Sequence, residues 1–161
     1  MKHILPLVLL SIVLASCLGQ VMGEYVRVGQ SIPSFSVELS DGRSVSNETL
    51  RGKPCVIVFF NIACGDCRRE LVEVQQVYEE LRDRATFLCI GRKENATTVE
   101  AYWKNQRLSL PYSAQRDRQV FDLFASTGIP RVYVADGNGI VHHIFVEKVR
   151  ARRLRNAILS L

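Results

Sequence analysis

Residues 55–70 read CVIVFFNIACGDCRRE. The apolar run from Cys55 to Phe60 is continuous rather than alternating, the pattern of a strand covered on both faces. It stops at Asn61, and Cys64-Gly65-Asp66-Cys67 follows at once. From Cys67 the apolar positions Leu71, Val74, Val77, Tyr78 and Leu81 are spaced three and four apart, which predicts an amphipathic helix of about four turns. A C-x-x-C pair at such a junction sets its first sulfur at a helix N-terminus, where unpaired N–H groups and a partial positive charge favour a thiolate. The thiolate, not the thiol, is the nucleophile. The second cysteine falls about one turn deeper, close enough to resolve a mixed disulfide. Cys64 is thus the candidate nucleophile and Cys67 its resolving partner.

Upstream, Phe35–Leu39 alternates apolar and polar residues, Asp41-Gly42 signals a tight turn, and Arg43–Ser46 returns, which together predict a β-hairpin. Asn47–Leu50 reads as one helical turn before Gly52-Lys53-Pro54. Downstream, Thr86–Ile90 reads as a second buried strand and Thr97–Gln106 as a helix packed through Val99, Tyr102 and Trp103. Leu108–Tyr112 reads as extended and Val120–Ala125 as helical, broken by Thr127-Gly128-Ile129-Pro130. Arg131–Ala135 and Ile140–Val146 form a hairpin about Asp136-Gly137-Asn138-Gly139, and Lys148–Leu161 reads as a closing amphipathic helix. A hairpin beside a βαβ unit means an α/β domain whose mixed sheet carries helices on both faces.

The N-terminus has a different character. Met1–Ser16 carries one lysine and then an apolar run from Ile4 to Ala15, too short to span a bilayer comfortably and suited to a secretory signal. Leu14-Ala15-Ser16-Cys17 resembles a bacterial lipobox, which implies cleavage before Cys17 and lipidation of its thiol. The expected organisation is a signal at 1–16, a glycine-containing lipidated tether at 17–28, and one domain at 29–161. Removing 1–16 loses only Lys2 among the charged residues, leaving 20 basic against 16 acidic side chains, a net of +4. That balance is too small to signal a nucleic-acid partner.

Of the five cysteines, Cys55 and Cys89 sit in apolar, strand-like runs and are expected to be buried free thiols. Zinc normally takes four protein ligands, and no second C-x-x-C or paired histidine lies at suitable spacing. No metal and no cofactor is expected. His142 and His143 alternate across the last strand, and neither is given a role.

With these elements in order, the chain resembles the thioredoxin fold and, within it, the TlpA/ResA-like exported thiol–disulfide oxidoreductases. The resemblance rests on Gly29-Gln30-Ser31-Ile32-Pro33-Ser34-Phe35, Asp41-Gly42-Arg43, Leu50-Arg51-Gly52-Lys53-Pro54, Phe59-Phe60 with Cys64-Gly65-Asp66-Cys67, and Gly128-Ile129-Pro130. It implies a thioredoxin-like mixed sheet with an N-terminal β-hairpin, and a dithiol that reduces protein clients, cytochrome c maturation being one such setting. It further implies a membrane reductant as electron donor, a position on the periplasmic side of a bacterial membrane, and membrane attachment through Cys17. By the same resemblance an Ile129–Pro130 cis bond would set the Ile129 backbone opposite the cysteines, where a client can pair in extended form. Glu70, three residues after Cys67, would handle protons near the pair. The chain departs from the family pattern at Ala63, usually tryptophan, and at Asp66, usually proline. Two other readings remain: a peroxiredoxin-like peroxidase, to which Asn61-Ile62-Ala63 offers neither the hydroxyl residue nor the proline, and a binding lipoprotein with a fixed disulfide.

Overall fold

The computed structural model describes residues 23–161. The signal at 1–16, Cys17 and the tether up to residue 22 lie outside the described residues. A two-stranded antiparallel hairpin, β1 (Ser36–Glu38) with β2 (Ser44–Ser46), precedes the main sheet. That sheet joins β3 (Cys55–Phe60), β4 (Thr86–Gly91), β5 (Tyr112–Ser113), β6 (Arg131–Ala135) and β7 (Val141–Val146) in the order β5-β4-β3-β6-β7. β3, β4 and β5 run parallel, whereas β6 and β7 are antiparallel to their neighbours, so the sheet is mixed as expected.

All six residues of β3 are buried, which is why its apolar run does not alternate. Val56, Val58 and Phe60 face a layer built from α1 (Gly65–Leu81), α2 (Ala96–Gln106) and α4 (Ala151–Leu159), through Leu71, Val74, Val77, Val99, Trp103, Leu154 and Ile158. Cys55, Ile57 and Phe59 face α3 (Gln119–Phe124), the hairpin and Val26. On that second face Phe59 meets Phe121, Phe124 and Tyr133 at ring-centroid distances of 5.3, 4.9 and 6.1 Å, all edge-to-face. Cys55 and Cys89 are buried free thiols within these layers.

Two expectations need correction. The expected tether ends at residue 28, yet the segment from Glu24 onwards is docked. Glu24 bridges Ala125, the Tyr25 and Val26 amides both donate to the Phe124 carbonyl at 2.9 and 3.0 Å, and Val26 is buried. The glycine content suggested little to pack. Buried Val26 and an ion pair between Glu24 and Arg131 at 3.1 Å add to these backbone bonds. The last helix begins at Ala151 rather than Lys148. Glu147 has φ +66 and Arg150 is extended, so the chain is not helical before Ala151. Glu70 accepts from Val149 and Glu73 accepts from Ala151 at 2.7 Å, so α1 caps α4 from outside.

Phe59 locks α3 to the sheet, so Phe59→Ala is expected to lower unfolding free energy by about 3–5 kcal/mol. Val72→Ala, on the exposed side of α1, is expected to change it by less than about 0.5 kcal/mol. Urea titrations of both variants beside the wild type measure the contrast.

Candidate active site

The site begins where β3 runs out of sheet. Asn61 turns the chain: its Oδ1 accepts from the Ala63 amide at 2.9 Å, and its Nδ2 donates to the Arg92 carbonyl at 3.1 Å. The Ile62 amide donates to Glu94 Oε1 at 2.5 Å. This loop is therefore held from both sides before it enters α1. Cys64 is the N-cap of the helix, with extended backbone (φ −82, ψ 116), and its Sγ accepts the Cys67 amide at 3.2 Å. The sulfur stands where a serine or aspartate oxygen would stand in an ordinary helix cap. The helix starts two residues before the hydrophobic periodicity does, because the cap and not the apolar stripe fixes its first turn.

The two sulfurs are unequal. Cys64 is partly exposed, whereas Cys67 is fully buried in the layer between α1 and the sheet. Burial pushes the Cys67 thiol far above its ordinary range, and its hydrogen bond with Cys64 adds to the shift. Both thiols are free. Opposite them, the Ile129–Pro130 bond is cis and the Ile129 carbonyl lies 4.0 Å from Cys64 Sγ. The structure thus brings Cys64, Cys67 and Ile129 together from three separated stretches of chain.

Glu70 lies one turn beyond Cys67 on the same helix, and its carboxylate is bonded to the segment that leads into α4. It is 4% exposed, and both of its carboxylate oxygens accept from the Val149 amide, at 3.0 and 2.9 Å. Burial raises its pKa to about 7, the Val149 hydrogen bond opposes the shift, and the charges of Glu73 and Asp66 add to it. Beside it a cavity of about 240 Å³ opens between α1 and the 147–150 segment. Asp66, the carboxylate inside the C-x-x-C, forms an exposed ion pair with Arg69.

Two residues that the sequence pattern does not single out also shape the site, Glu94 and Arg131. Glu94 is 6% exposed, and burial raises its carboxyl above the usual range while the Ile62 amide holds it down. A Cβ on Gly91 would lie 2.9 Å from the Glu94 side chain, so only glycine lets this carboxylate tuck beneath the loop. Arg131 is 3% exposed and bonds Thr127 and Gly128. A charge opening the otherwise apolar stretch VYVA was the available signal for Arg131. Glu94 gave none, since it stands among other polar residues of a loop. His142 pairs with Asp136 at 3.0 Å on the far hairpin. Among the described residues no group of three or more His, Cys, Asp or Glu side chains is placed to hold a metal ion.

Comparison with known proteins agrees with this geometry. Thiol-disulfide oxidoreductase ResA of Bacillus subtilis (strain 168) is 22% identical over 119 residues, 73% of this chain and 66% of its own length. The chain thus spans just under two thirds of that relative. A solution structure from Bacteroides thetaiotaomicron superposes with a TM-score of 0.79 at 24% identity, covering 87% of this chain and 94% of that one. The crystal structure of a thiol:disulfide interchange protein of the thioredoxin family from Chlorobium tepidum TLS gives 0.73 at 27% identity, covering 84% and 97%. The fold is therefore thioredoxin-like, with an N-terminal β-hairpin before the main sheet. The AhpC/TSA family model matches residues 28–144, a span holding the hairpin, both cysteines and the Ile129-Pro130 loop, and the chain belongs to the AhpC/TSA family.

Proposed function

We propose that this protein is a thiol–disulfide oxidoreductase that reduces disulfides in protein clients. The inequality of the two sulfurs carries the reading. An accessible Cys64 can be reached by a client, whereas a buried Cys67 can be reached only by Cys64. The names of the ResA relatives support the same chemistry. A fixed structural disulfide would have no use for a sulfur left open opposite the Ile129 carbonyl.

The reaction is a two-step exchange. The Cys64 thiolate attacks one sulfur of a client disulfide; an S–S bond forms between them, and the second client sulfur leaves as a thiolate and takes up a proton. Cys67 then gives up its proton and attacks Cys64 Sγ, which forms the Cys64–Cys67 disulfide and expels the first client sulfur. The client gains two electrons and the pair loses two. A dithiol reductant, placed at the membrane in our reading, reverses that last oxidation. We assign the proton of Cys67 to Glu70, one turn further along α1, because a carboxyl titrating near 7 can both take and return a proton at neutral pH. The client lies extended along the Ile129 backbone. Among the described residues no acceptor meets the Ile129 N–H, which leaves it to a client.

The proposed setting is extracytoplasmic. It rests on the apolar run at 4–15 and on Cys17, read as a lipid attachment point on the periplasmic side of a bacterial membrane. Among the described residues no helix is long and apolar enough to cross a membrane. Proteins awaiting thiol reduction there, such as cytochromes c before haem attachment, are the proposed client class.

Cys67→Ser is expected to accumulate mixed disulfides with clients, and Cys64→Ser is expected to form none. Non-reducing gels of the two variants read this directly, and capture by neither would remove the mechanism. Insulin-disulfide reduction should proceed in the wild type while added peroxide is consumed no faster than by free thiol. The reverse result would make the protein a peroxidase.

Glu70 also sets a pH signature. Its carboxyl titrates near 7 in the folded chain and at an ordinary 4.5 when unfolded, so between these values the native state holds the extra proton. Stability therefore falls as pH rises from about 4.5 to about 7, by as much as about 3 kcal/mol at 1.4 kcal/mol per unit. Glu70→Gln should flatten that slope. Urea midpoints of both proteins at pH 5 and pH 8 test it, and equal slopes would exclude the raised carboxyl.

A further inference from the structure

Arg131 is the first residue of β6 and is almost wholly enclosed, at 3% exposure. Its donors spread in three directions. Nη2 donates to the Thr127 carbonyl at 2.9 Å, Nε to the Gly128 carbonyl at 3.2 Å, and Nη1 to Glu24 Oε1 at 3.1 Å. Two of these acceptors belong to the loop whose next carbonyl, that of Ile129, faces Cys64 Sγ. The third belongs to the N-terminal segment. That segment is stitched to the same loop again, because the Ser126 amide donates to the Gly23 carbonyl at 2.8 Å. Gly128 has φ +80, and a Cβ there would stand 3.0 Å from Arg131 Nη2 and 3.2 Å from Val146 Cγ1. The loop has been drawn tight around the guanidinium, and only glycine fits between them.

A chain that needed only to fill this space could use leucine or methionine. Those side chains would leave the Thr127 and Gly128 carbonyls without the donors they now have, and would leave Glu24 without its cation. A planar guanidinium is the one side chain with enough fixed donors to meet all three.

We propose that Arg131 is a positioning residue for protein clients: by gripping the Thr127 and Gly128 carbonyls it fixes the Ile129 peptide at the distance and angle from Cys64 that an extended client backbone requires. Glu24 is the counter-charge that holds Arg131 in place, so the N-terminal segment becomes part of the client-binding loop. The inference rests on the oxidoreductase reading. It concerns clients that pair through their backbone, and a small disulfide without a peptide chain does not need the loop.

The experiment compares insulin with Ellman's reagent as substrates for the full-length protein and three variants. Arg131→Met should raise KM for insulin by about tenfold, the scale of one or two lost backbone hydrogen bonds, with kcat within about twofold. Its rate with Ellman's reagent should stay within about twofold of wild type. Arg131→Lys should recover part of the KM, since an ammonium keeps the Glu24 pair but cannot reach both carbonyls in plane. Glu24→Gln should raise KM for insulin by about threefold, and this variant with Arg131→Lys carries the test if Arg131→Met does not fold. A parallel loss on insulin and Ellman's reagent, or an unmoved KM in every folded variant, overturns the role of Arg131 while the wild type still reduces insulin. A wild type that leaves insulin oxidised overturns the oxidoreductase reading itself, and the Arg131 proposal with it.

Discussion

The hydrogen bond from the Cys67 amide to the Cys64 sulfur forms because three constraints meet within a few residues. β3 must stop, because Asn61 spends its side chain on turning the chain and not on extending the sheet. The loop must be fixed, which Glu94 does from the β4–α2 connection through the Ile62 amide. The helix must then begin on the first cysteine, which puts that sulfur among amides with no partners of their own. Remove any of these and the two sulfurs lose their inequality. One would no longer be a cap at the surface and the other no longer a core residue one turn below it.

Much of this was legible in the sequence, for a physical reason. β3 is covered on both faces, so its apolar run is unbroken and its ends match the expected ones. The stripe of α1 is read from Leu71, Val74 and Val77, and the same residues form the core beneath it. Local rules worked wherever one residue's neighbours in sequence are also its neighbours in space. They failed where a partner came from far along the chain. The start of α4 is set by Glu70 and Glu73, nearly eighty residues upstream, and no propensity at Lys148 reports that. The docking of Glu24 depends on Arg131, 107 residues away. Glu70 shows both sides. Its place on the helix followed from spacing, but its engagement with Val149 did not.

The buried charges around the site follow a common logic. A carboxylate or guanidinium taken out of water must be repaid with hydrogen bonds of good geometry, or it gives up its charge. Arg131 meets two carbonyls and Glu24. Glu70 and Glu94 have fewer partners, each held by one backbone amide, and both are pushed toward the protonated form. The guanidinium therefore sits against the Thr127–Ile129 loop opposite Cys64. The titratable groups sit on the sulfur-bearing helix and beneath the loop leading into it.

That division has a mechanistic consequence. A thiol–disulfide exchange moves a proton at each step, so the helix side gains from a group whose charge can change near neutral pH. The loop side must present the same backbone geometry to every client and through both steps, so it gains from a group whose charge cannot change. A guanidinium does not give up its proton in proteins, and its fork fixes direction as well as distance. Exchanging the two would fail on both counts. In the mechanism we propose, a carboxyl under the Ile129 loop would let client binding drift with pH, and a guanidinium at position 70 could neither take the Cys67 proton nor accept from the Val149 amide.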